Sequence, residues 1–533
     1  MEINKKIVLI FSVLVLAAFS FYTTYTIHSS YHLPYHSDEW DHLTMAVEIV
    51  KKGSIVNYNP YLSDEYKKDL EVSYHVLLSE LILMTGLDPV QFSIIFPAIV
   101  SFILSLNAFM LVRFITKSSF AGLLSGMLVT TMKSNVTLLG PWFMVPSAYG
   151  MSQLPLMLFV FVKAMGAANS VVAKKPLVRN SLMSMNITPA KTSEKISLIN
   201  LWDVVLGLLF IQITLAHPPS ASILLPVFAL YLLMHPRLLY RNRFRILIFC
   251  VIAFLLLVNF ISFAKLANIK SPLSFMDWLL NDTLVFTDEQ YTYHVLYFYP
   301  IYLGSAILFL AVLGFYRNMS SDDKSRIIPI ALLALLPFVV QYFEFGKSFF
   351  AEYRRLFMYN SELIMILAGM GLYLLYAIGK GIIGVYVKND FLRKIITAGM
   401  LVLIAVALKN QADSTFFYSN RLYMIIGENE VGTIQWLGSN TSENSTVLAY
   451  PHVSKAITPL SGRRVLALTQ TNLGSGKDEI DKANIFFQND CNVKAGILNE
   501  LKPDYVFFKG AINCPFLEEV YESKGSRIYK VNP

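Results

Sequence analysis

The chain has 533 residues, of which 55% are apolar and only 15% are charged, and its mean hydropathy is +0.51. Soluble globular chains carry about 25% charged residues, so the composition excludes an ordinary water-soluble enzyme and is typical of a multi-pass membrane protein. The net charge of +8 does not indicate a nucleic-acid partner, because the basic residues form short clusters between apolar runs.

Long apolar runs indicate the spanning helices, since a helix needs roughly 20 apolar residues to cross the hydrocarbon core of a bilayer. We predict about eleven spans, of which the two shortest flank the turn His217-Pro218-Pro219 and are also compatible with one broken hairpin. The predicted spans cover residues 7–27, 90–115, 118–136, 143–166, 201–216, 219–234, 246–264, 295–316, 327–343, 360–379 and 395–410.

The distribution of Lys and Arg predicts the orientation of the spans, because loops that stay in the cytoplasm carry an excess of basic residues. With the N-terminus inside, the inside loops hold more Lys and Arg than the outside segments before residue 410, although the outside loops are longer. An odd number of spans then places the segment after residue 410 outside. We therefore expect a protein of the cell membrane with a cytoplasmic N-terminus and an extracytoplasmic C-terminal domain.

The first outside loop, residues 28–89, is too long for a simple connector. It contains two segments with the pattern of amphipathic helices that lie on the membrane surface. The first begins with Ser37 or Asp38 as a candidate cap and ends at Gly53, and the second covers residues 74–85. The apolar face of the first helix holds residues at spacings of three and four: Trp40, Leu43, Ala46, Val47 and Val50.

An acidic cluster opens this loop in the segment His36-Ser37-Asp38-Glu39-Trp40-Asp41-His42. One interpretation is a solvated loop in which Asp38 caps a helix, since Asp and Glu are mostly exposed. A second is a catalytic base, because a carboxylate at the end of a span can take the proton of an attacking group. A third is a metal site built from His36, Asp38, Asp41 and His42, although spacing within one short turn disfavours convergence on one ion.

Two arginines, Arg354 and Arg355, lie at the outer start of a predicted span, where the positive-inside tendency disfavours them. A guanidinium binds phosphate through paired hydrogen bonds, so these residues are candidates for binding a lipid phosphate. The alternative is contact with ordinary headgroups. His217, at a turn between two short spans, is either a substrate contact or a polar turn residue, and the turn interpretation is favoured.

The loop from Lys265 to His294 combines acidic and aromatic residues, among them Asp288 and Glu289. Such residues suit contact with a sugar or a lipid, but Trp and Tyr also concentrate at any membrane interface. We therefore rank these two carboxylates behind Asp38 as substrate contacts.

From residue 411 the long apolar runs stop, and short β-like segments alternate with helix-like ones. The clearest segments are 446–450, 464–468 and 505–508 for strands and 429–437 and 493–501 for helices. This alternation predicts a small α/β domain in residues 411–533, which has neither a Gly-rich phosphate loop nor a nucleophile elbow. Cys491 and Cys514 fall in this outside domain, where a disulfide would persist, whereas Cys250 lies in a predicted span.

These features together resemble the GT-C glycosyltransferase superfamily, which includes protein O-mannosyltransferases, aminoarabinose transferases and the catalytic subunits of oligosaccharyltransferase. Asp38-Glu39, just after the first span, is similar to the Asp-Glu pair of the O-mannosyltransferases. Thr85-Gly86-Leu87-Asp88-Pro89 also resembles the superfamily, and residues 436–464 of the tail resemble its archaeal members. The resemblance implies a polyprenyl-phosphate sugar donor on the outer face of the membrane, with Arg354 or Arg355 at the donor phosphate.

Two departures from the superfamily pattern limit what the resemblance implies. The tail has no Trp-Trp-Asp-Tyr-Gly motif, which argues against an N-glycosylating oligosaccharyltransferase. The second outside loop, residues 140–150, has no acidic residue, although metal-dependent members often place one there. The sequence therefore assigns no metal ligands, and it leaves a divalent cation, Mg²⁺ or Mn²⁺, open as a cofactor.

The sequence predicts an α-helical polytopic membrane protein, with a GT-C-like bundle in residues 1–410 and a small extracytoplasmic α/β domain in residues 411–533. Its predicted activity is transfer of a sugar from a polyprenyl-phosphate donor to a protein, glycan or lipid acceptor, in contact with membrane lipids and without nucleic acid. The alternatives are a transporter or flippase of lipid-linked sugars, or a non-catalytic envelope protein. Transporters usually carry ionisable residues near the bilayer midplane and internal repeats, and neither is evident here.

Three groups of residues carry this prediction. Asp38 is the expected base, and Glu39 assists it or positions the acceptor. Arg354 and Arg355 are expected to bind the donor phosphate. The candidate substrate contacts are Asp41, His42, His217, Asp288 and Glu289.

Overall fold

The structure, a computed structural model, describes residues 2–135, 138–172, 200–258, 271, 273–274, 285–287, 299–419, 424–469 and 473–532. Six helices within these residues are long and apolar enough to cross a membrane: Lys6–Ser29, Pro89–Thr116, Pro146–Gly166, Ile327–Phe345, Tyr353–Tyr386 and Asp390–Ser414. Shorter apolar helices of 10–17 residues accompany them. The multi-pass helical architecture agrees with the sequence, whereas the number of about eleven spans stays a prediction.

The helices of residues 2–419 follow one another with few intervening strands. They are α1 (Glu2–Tyr25), α2 (Ser37–Lys52), α3 (Val72–Thr85), α4 (Pro89–Thr116), α5 (Ser119–Val129), α6 (Pro146–Val172), α7 (Leu201–Ala216), α8 (Pro218–Met234), α9 (Pro236–Arg241), α10 (Arg243–Val258), α11 (Tyr299–Leu303), α12 (Ser305–Met319), α13 (Ile327–Phe345), α14 (Tyr353–Tyr386) and α15 (Asp390–Ser419). A short 3₁₀ helix, Thr26–Ser30, follows α1. His217 separates α7 from α8, so this segment forms two short helices joined at a turn.

Helix α14 lies at the centre of the bundle, because its first half is buried and it packs against α5, α12 and α13. Glycines bring α12 and α14 into backbone contact. A Cβ added to Gly314 would lie 2.0 Å from the carbonyl oxygen of Leu367, and one added to Gly371 would lie 1.9 Å from that of Leu310. Small residues allow such close approach between membrane helices. This packing holds the middle of α14, and the two arginines of interest lie in the first turn of the same helix.

The first loop, residues 28–89, contains α2, α3 and an antiparallel pair of short strands, β1 (Tyr58–Asn59) and β2 (Ser63–Tyr66). Helix α2 ends at Gly53 and α3 at Gly86, both with the positive φ that glycine adopts without strain. Both helix ends agree with the sequence. The predicted cap of α2 is wrong: His36, and not Ser37 or Asp38, occupies that position.

The apolar face of α2 is covered by protein. Trp40, Leu43 and Ala46 have no exposed surface. They belong to one hydrophobic core with Trp142 of the segment before α6 and Val447 of the C-terminal tail. These three residues are therefore covered by protein and not by lipid, whereas the position of α2 at the membrane surface stays a prediction. Its spacing of three and four indicates burial correctly, but burial against protein has the same pattern as burial in lipid.

The C-terminal tail, residues 424–532, folds around a mixed five-stranded sheet. Its elements are α16 (Glu428–Asn440), β5 (Thr446–Leu448), α17 (Ser454–Ser461), β6 (Arg464–Val465), α18 (Lys477–Gln488), α19 (Cys491–Leu501), β7 (Tyr505–Lys509), β8 (Leu517–Ser523) and β9 (Ser526–Val531). The strand order is β6-β5-β7-β9-β8, in which β5 is parallel to β6 and β7, and β9 is antiparallel to β7 and β8. The small helix-and-sheet unit matches the predicted class, although α15 runs nine residues past 410, to Ser419.

The three cysteines occupy two different settings. Cys491, at the start of α19, and Cys514, before β8, form a disulfide with their Cα atoms 5.6 Å apart. The bridge therefore ties α19 to the antiparallel part of the sheet. Cys250, in α10, is a free and exposed thiol.

Another short antiparallel pair joins two loops of the bundle. Its strands are β3 (Val285–Thr287) and β4 (Lys347–Phe349), the latter just before α14. The predicted contacts Asp288 and Glu289 follow β3 directly, and both lie outside the described residues.

Candidate functional site

A cavity of about 460 Å³ lies where the first loop meets the bundle. It brings together seven of the residues singled out in the sequence: His36, Asp38, Asp41, His42, His217, Arg354 and Arg355. Further titratable groups that the sequence analysis did not single out line it as well: Lys67, Lys68, Asp69, Glu71, His75 and Glu352. Glu39 does not line it. The acidic cluster and the arginine pair, more than 300 residues apart in the chain, therefore share one space.

A capping box orients the beginning of α2. The N–H of Asp38 donates to His36 Nδ1 at 3.1 Å, and the N–H of His36 donates to Glu39 Oε2 at 2.8 Å. The other oxygen of Glu39, Oε1, accepts from the N–H of Met144 at 2.7 Å. Glu39 is thus held by backbone donors on both oxygens and is fully buried. In the structure it ties α2 to the segment before α6, while Asp38 turns toward the cavity.

Burial dominates the electrostatics of Glu39. Desolvation raises the pKa of this carboxyl to about 7, against the lowering effect of its backbone hydrogen bonds to Met144 and His36. A carboxyl that is held by two backbone donors and faces away from the cavity is a positioning group. The predicted role of Glu39 as a partner of the base receives no contact that supports it.

Asp38 and Asp41 lie one helical turn apart and have different surroundings. The side chain of Asp38 is 41% exposed, and its nearest cation, Lys455 Nζ, is 3.9 Å from Oδ1. The side chain of Asp41 is 11% exposed and forms an ion pair of 2.7 Å with the same Lys455. Asp38 is therefore the carboxylate that is accessible from the cavity, and Asp41 is the one that is held in place.

Lys455 comes from α17 of the tail and has no exposed surface. Burial raises the pKa of Asp41 to about 6, and the Lys455 ammonium opposes that rise. The hydroxyl of Tyr61, in the first loop, lies 3.1 Å from the backbone carbonyl oxygen of Lys455 and accepts from Thr44 Oγ1 at 2.8 Å. Residues of the first loop and of the tail thus contact one another beside the cavity, and Leu473 of the tail lines it.

Sequence reasoning missed Lys455, because the lysine lies 414 residues after Asp41. The only local signal is a lysine inside an amphipathic helix next to apolar residues that are buried, Ala456 and Ile457. That pattern indicates a partly buried lysine but does not identify its partner.

Two imidazoles and two carboxylates form a second cluster in the cavity. His42 Nδ1 and His75 Nε2 are 2.9 Å apart, and His75 Nδ1 lies 2.7 Å from Asp69 Oδ2. Glu71 Oε2 is 3.9 Å from His42 Nδ1. One donor atom each from His42, Glu71 and His75 lies within 4.8 Å of the other two. Within the described residues, this is the set whose geometry could hold a metal ion.

This cluster differs from the metal ligands considered in the sequence. Of His36, Asp38, Asp41 and His42, only His42 belongs to it. The other three members precede or begin α3, and Glu71 and His75 are separated by one helical turn. A Glu and a His at that spacing are a weak signal on their own, and the sequence does not show that α3 packs against α2.

The cationic side of the cavity begins α14. Arg354 and Arg355 occupy its first turn, and Arg355 Nε lies 3.5 Å from Glu352 Oε2, with both of these side chains about one-third exposed. His217 is buried between α7 and α8, where its Nδ1 lies 2.5 Å from Ser220 Oγ. Ser220 is hydrogen-bonded in turn to the hydroxyl of Tyr359 in α14. His217 is therefore tied to α14 by a chain of side chains below the arginines.

Comparison with known proteins identifies structures of the same architecture. An archaeal oligosaccharyltransferase, AglB from Archaeoglobus fulgidus, in complex with an inhibitory peptide and a dolichol-phosphate, has 12% sequence identity and a TM-score of 0.56, with 93% of this chain and 69% of that chain covered. The same oligosaccharyltransferase in complex with Zn and sulfate gives a TM-score of 0.55 at 12% identity, with 93% and 67% covered.

The similarity extends over both chains in a bacterial protein. ArnT from Cupriavidus metallidurans bound to undecaprenyl phosphate has 12% identity and a TM-score of 0.55, with 98% of this chain and 97% of that chain covered. No protein-family profile and no curated protein sequence matches this chain. The likeness at this identity concerns the fold: the chain has the GT-C-like fold that its sequence predicts, with a helical membrane bundle and a small C-terminal sheet domain.

Proposed function

We propose that the protein is an integral-membrane glycosyltransferase that moves a sugar from a polyprenyl-phosphate donor to a protein, glycan or lipid acceptor on the outer face of the membrane. One observation carries the proposal: the accessible carboxylate of Asp38 and the guanidiniums of Arg354 and Arg355 line one cavity. A carboxylate suits removal of a proton from the acceptor. A guanidinium pair suits the charge that develops on a leaving phosphate.

The proposed reaction is a single displacement. The acceptor O–H or N–H loses its proton to Asp38 while its oxygen or nitrogen forms a bond to the anomeric carbon of the sugar. The bond from that carbon to the phosphate oxygen breaks, and its electron pair leaves with the phosphate. Displacement from the opposite side inverts the anomeric centre. Asp38 suits the role of base because Asp41 is occupied by Lys455 at 2.7 Å and Glu39 by two backbone N–H groups.

Arg354 and Arg355 are the proposed phosphate ligands. Negative charge on the phosphate grows as the bond to the sugar breaks, so fixed cations stabilise the transition state more than the bound donor. Both residues lie in the first turn of α14, where the free N–H groups and the helix dipole also favour an anion. His217 also lines the cavity and is proposed as a substrate contact, together with Asp41 and His42.

The compared structures support the class of donor. One holds a dolichol-phosphate and the other undecaprenyl phosphate, and both molecules are polyprenyl phosphates. The Zn and sulfate in the archaeal oligosaccharyltransferase make a divalent cation a reasonable cofactor for this chain too, with His42, Glu71 and His75 as its candidate ligands. A bound cation would supply positive charge for the phosphate. The outer-face location rests on the distribution of Lys and Arg in the loops.

The test is sugar transfer by the purified full-length protein in lipid nanodiscs, with a panel of radiolabelled polyprenyl-phosphate sugars as donors. A membrane extract from a strain that lacks the protein supplies the acceptors, so that peptide, glycan and lipid acceptors are all present. We expect label to move to one acceptor class with the wild type, and transfer to be lost with Asp38→Asn. Glu80→Gln, an exposed carboxylate on α3 outside the cavity, is the matched control and keeps the wild-type rate.

Near-normal transfer by Asp38→Asn would remove this residue from the mechanism. The transporter alternative is tested with the same purified protein reconstituted into vesicles. The measurement is the movement of a fluorescent polyprenyl-phosphate sugar across the vesicle membrane. Movement across the vesicle membrane without transfer to any acceptor would show that the protein is a flippase and not a glycosyltransferase.

A further inference from the structure

We propose that His42, Glu71 and His75 form a binding site for a transition-metal cation of the Zn²⁺ class, with Asp69 as the group that orients His75. The site lies in the first loop, on the wall of the cavity, and joins α2 to α3. The inference concerns metal binding itself and is measured without sugar transfer.

The spacing of the donor atoms fits a small cation. Zn²⁺ binds imidazole nitrogen at about 2.0–2.1 Å and is usually tetrahedral, so neighbouring ligand atoms lie roughly 3.3 Å apart. In this structure, His42 Nδ1 is 2.9 Å from His75 Nε2 and 3.9 Å from Glu71 Oε2. These two distances lie on either side of that value. One donor atom from each of the three residues lies within 4.8 Å of the other two, so rotation of the side chains is the movement that would place all three around one ion.

A carboxylate fixes the ring of His75 in the orientation that a metal requires. An ionised carboxylate only accepts hydrogen bonds, so His75 Nδ1 donates its proton to Asp69 Oδ2 at 2.7 Å. The lone pair of the neutral ring is then on Nε2, the atom that faces His42. Both side chains of this pair are 6% exposed. Metal-bound histidines commonly have such a carboxylate on the second nitrogen.

The cluster has an alternative explanation as a hydrogen-bonded pair of histidines, in which His42 Nδ1–H donates to His75 Nε2. That explanation leaves Glu71 without a part in it: this carboxylate lies 3.9 Å from His42 Nδ1, beyond hydrogen-bond distance. A cation between the three groups would use the facing nitrogens and the carboxylate together. His42 would then carry its proton on Nε2.

The donor set selects the class of metal. Two imidazole nitrogens and one carboxylate oxygen suit Zn²⁺ and its neighbours, whereas Mg²⁺ requires oxygen ligands and keeps several waters. The proposed cation at this site is therefore one that binds nitrogen, whereas the sequence left Mg²⁺ or Mn²⁺ open as a cofactor. Three protein ligands leave a fourth position, and the cavity adjoins all three residues.

The experiment is metal binding by the full-length protein, purified with a histidine-free affinity tag. The protein is stripped with a chelator, incubated with Zn²⁺ alone, and its metal content is measured by plasma mass spectrometry. Affinity is measured by competition with a fluorescent zinc chelator. Co²⁺ in place of Zn²⁺ reports the ligands through its absorption spectrum. We expect one zinc per chain, and no displacement by a large excess of Mg²⁺.

Four variants locate the site. His42→Asn and His75→Asn should each abolish stoichiometric zinc, and Asp69→Asn should weaken zinc roughly 10- to 100-fold while the metal still binds. His452→Asn, an exposed histidine in the tail, is the matched control and should bind zinc as the wild type does. A thermal unfolding curve of each stripped variant shows that the fold is intact, so that loss of binding is not loss of structure.

Three outcomes would overturn the site: no stoichiometric zinc in the wild type, equal affinity in His42→Asn and His75→Asn, or displacement of zinc by Mg²⁺. Zinc binding with no sugar transfer would leave the metal site standing and remove the proposed function. Transfer by a protein that binds no zinc would do the reverse.

Discussion

The two walls of the cavity are built in different ways. The wall formed by α2 and α3 carries carboxylates and imidazoles that are held by one another and by Lys455 of the tail. The wall formed by the beginning of α14 carries two guanidiniums on a helix that packs through glycine contacts against α12 farther along its length. The carboxylate proposed as the base thus comes from the first loop, and the proposed phosphate ligands come from the bundle.

The comparison predicts that damage to the two walls has different kinetic consequences. Loss of the base should lower turnover, because the base acts only in the transition state, whereas loss of a phosphate ligand should also weaken binding of the donor. The loop wall depends on the folded tail, and the bundle wall does not.

The largest effect is expected for Asp38→Asn. The amide keeps the shape of the side chain but cannot take a proton, so turnover should fall about 100- to 10,000-fold while the KM for the donor changes little. Steady-state transfer kinetics at equal protein concentration measure both constants. A rise in KM without a fall in kcat would show that Asp38 binds the donor and is not the base. The two walls would then not differ in their kinetic roles.

The next effect is on stability and concerns the buried ion pair of Lys455 and Asp41. Lys455→Met leaves a buried carboxylate without its partner and should cost about 3–5 kcal/mol. The double variant Asp41→Asn/Lys455→Met removes both charges and should recover most of that loss. The apparent melting temperature, and the protease resistance of the tail, report the change.

A second ion pair of the same domain, outside the cavity, is the control for this prediction. Lys509 lies 2.8 Å from Glu430 and is 49% exposed, whereas Glu430 is 11% exposed and keeps a hydrogen bond from the N–H of Gly427 at 2.9 Å, so Lys509→Met should cost less than Lys455→Met. Equal losses in the Lys455 and Lys509 variants would show that the buried pair has no special part in joining the tail to the first loop.

A smaller effect is expected for the bundle wall. Arg355→Gln should raise the KM for the polyprenyl-phosphate donor roughly 10- to 100-fold, the equivalent of one charged hydrogen bond, with a further fall in kcat. Arg355→Lys keeps the charge but not the planar fork and should lie between Gln and wild type. Arg393→Gln, an exposed arginine of α15 outside the cavity, is the control. If the KM of Arg355→Gln were unchanged, the remaining interpretation would be that Arg355 contacts ordinary lipid headgroups and not the donor phosphate.

The smallest effect is a slope of stability with pH that comes from Glu39. Its pKa is about 7 in the folded state, raised by burial from an ordinary value of 4.5. A carboxyl with a raised pKa holds its proton more tightly when folded, so it stabilises the fold at low pH and loses that contribution as pH rises from about 4.5 to 7. Glu39→Gln should make the melting temperature depend less on pH over this range.

Neighbouring groups contribute to the same slope, since burial also raises the pKa of Asp41 to about 6 and of Glu71 to about 7. Only the difference between wild type and Glu39→Gln therefore belongs to Glu39. Parallel curves for the two proteins would contradict the assignment. Glu80→Gln, with its exposed carboxylate, supplies the reference.

Local sequence features predicted the parts of the site that depend on neighbouring residues. The ends of α2 and α3 follow from Gly53 and Gly86, which adopt positive φ. The place of Asp38 at the start of a helix follows from the acidic cluster. The cap was misassigned because His36 is not one of the residues that usually cap a helix, although Glu39 three residues later is the usual second half of a capping box.

The remaining parts of the site come from tertiary contacts that no local pattern contains. Lys455 meets Asp41 only because α17 packs against α2. His75 meets His42 only because α3 packs beside α2. The apolar face of α2 shows why a wrong environment can follow from a correct pattern: a spacing of three and four identifies a buried face but not the material that buries it.

The position of Lys455 in the chain has a consequence for synthesis. Residues 36–75 leave the ribosome early, yet the lysine that completes their wall is made 414 residues after Asp41. Until then, Trp40 and Tyr61 lack Val447 and the other tail residues of their shared core. The newly made loop must therefore wait, with apolar surface uncovered, through the insertion of every later span. A chain that stops before the tail holds both arginines and the residues of the His42, His75 and Asp69 contacts, but its Asp41 has no Lys455 to pair with.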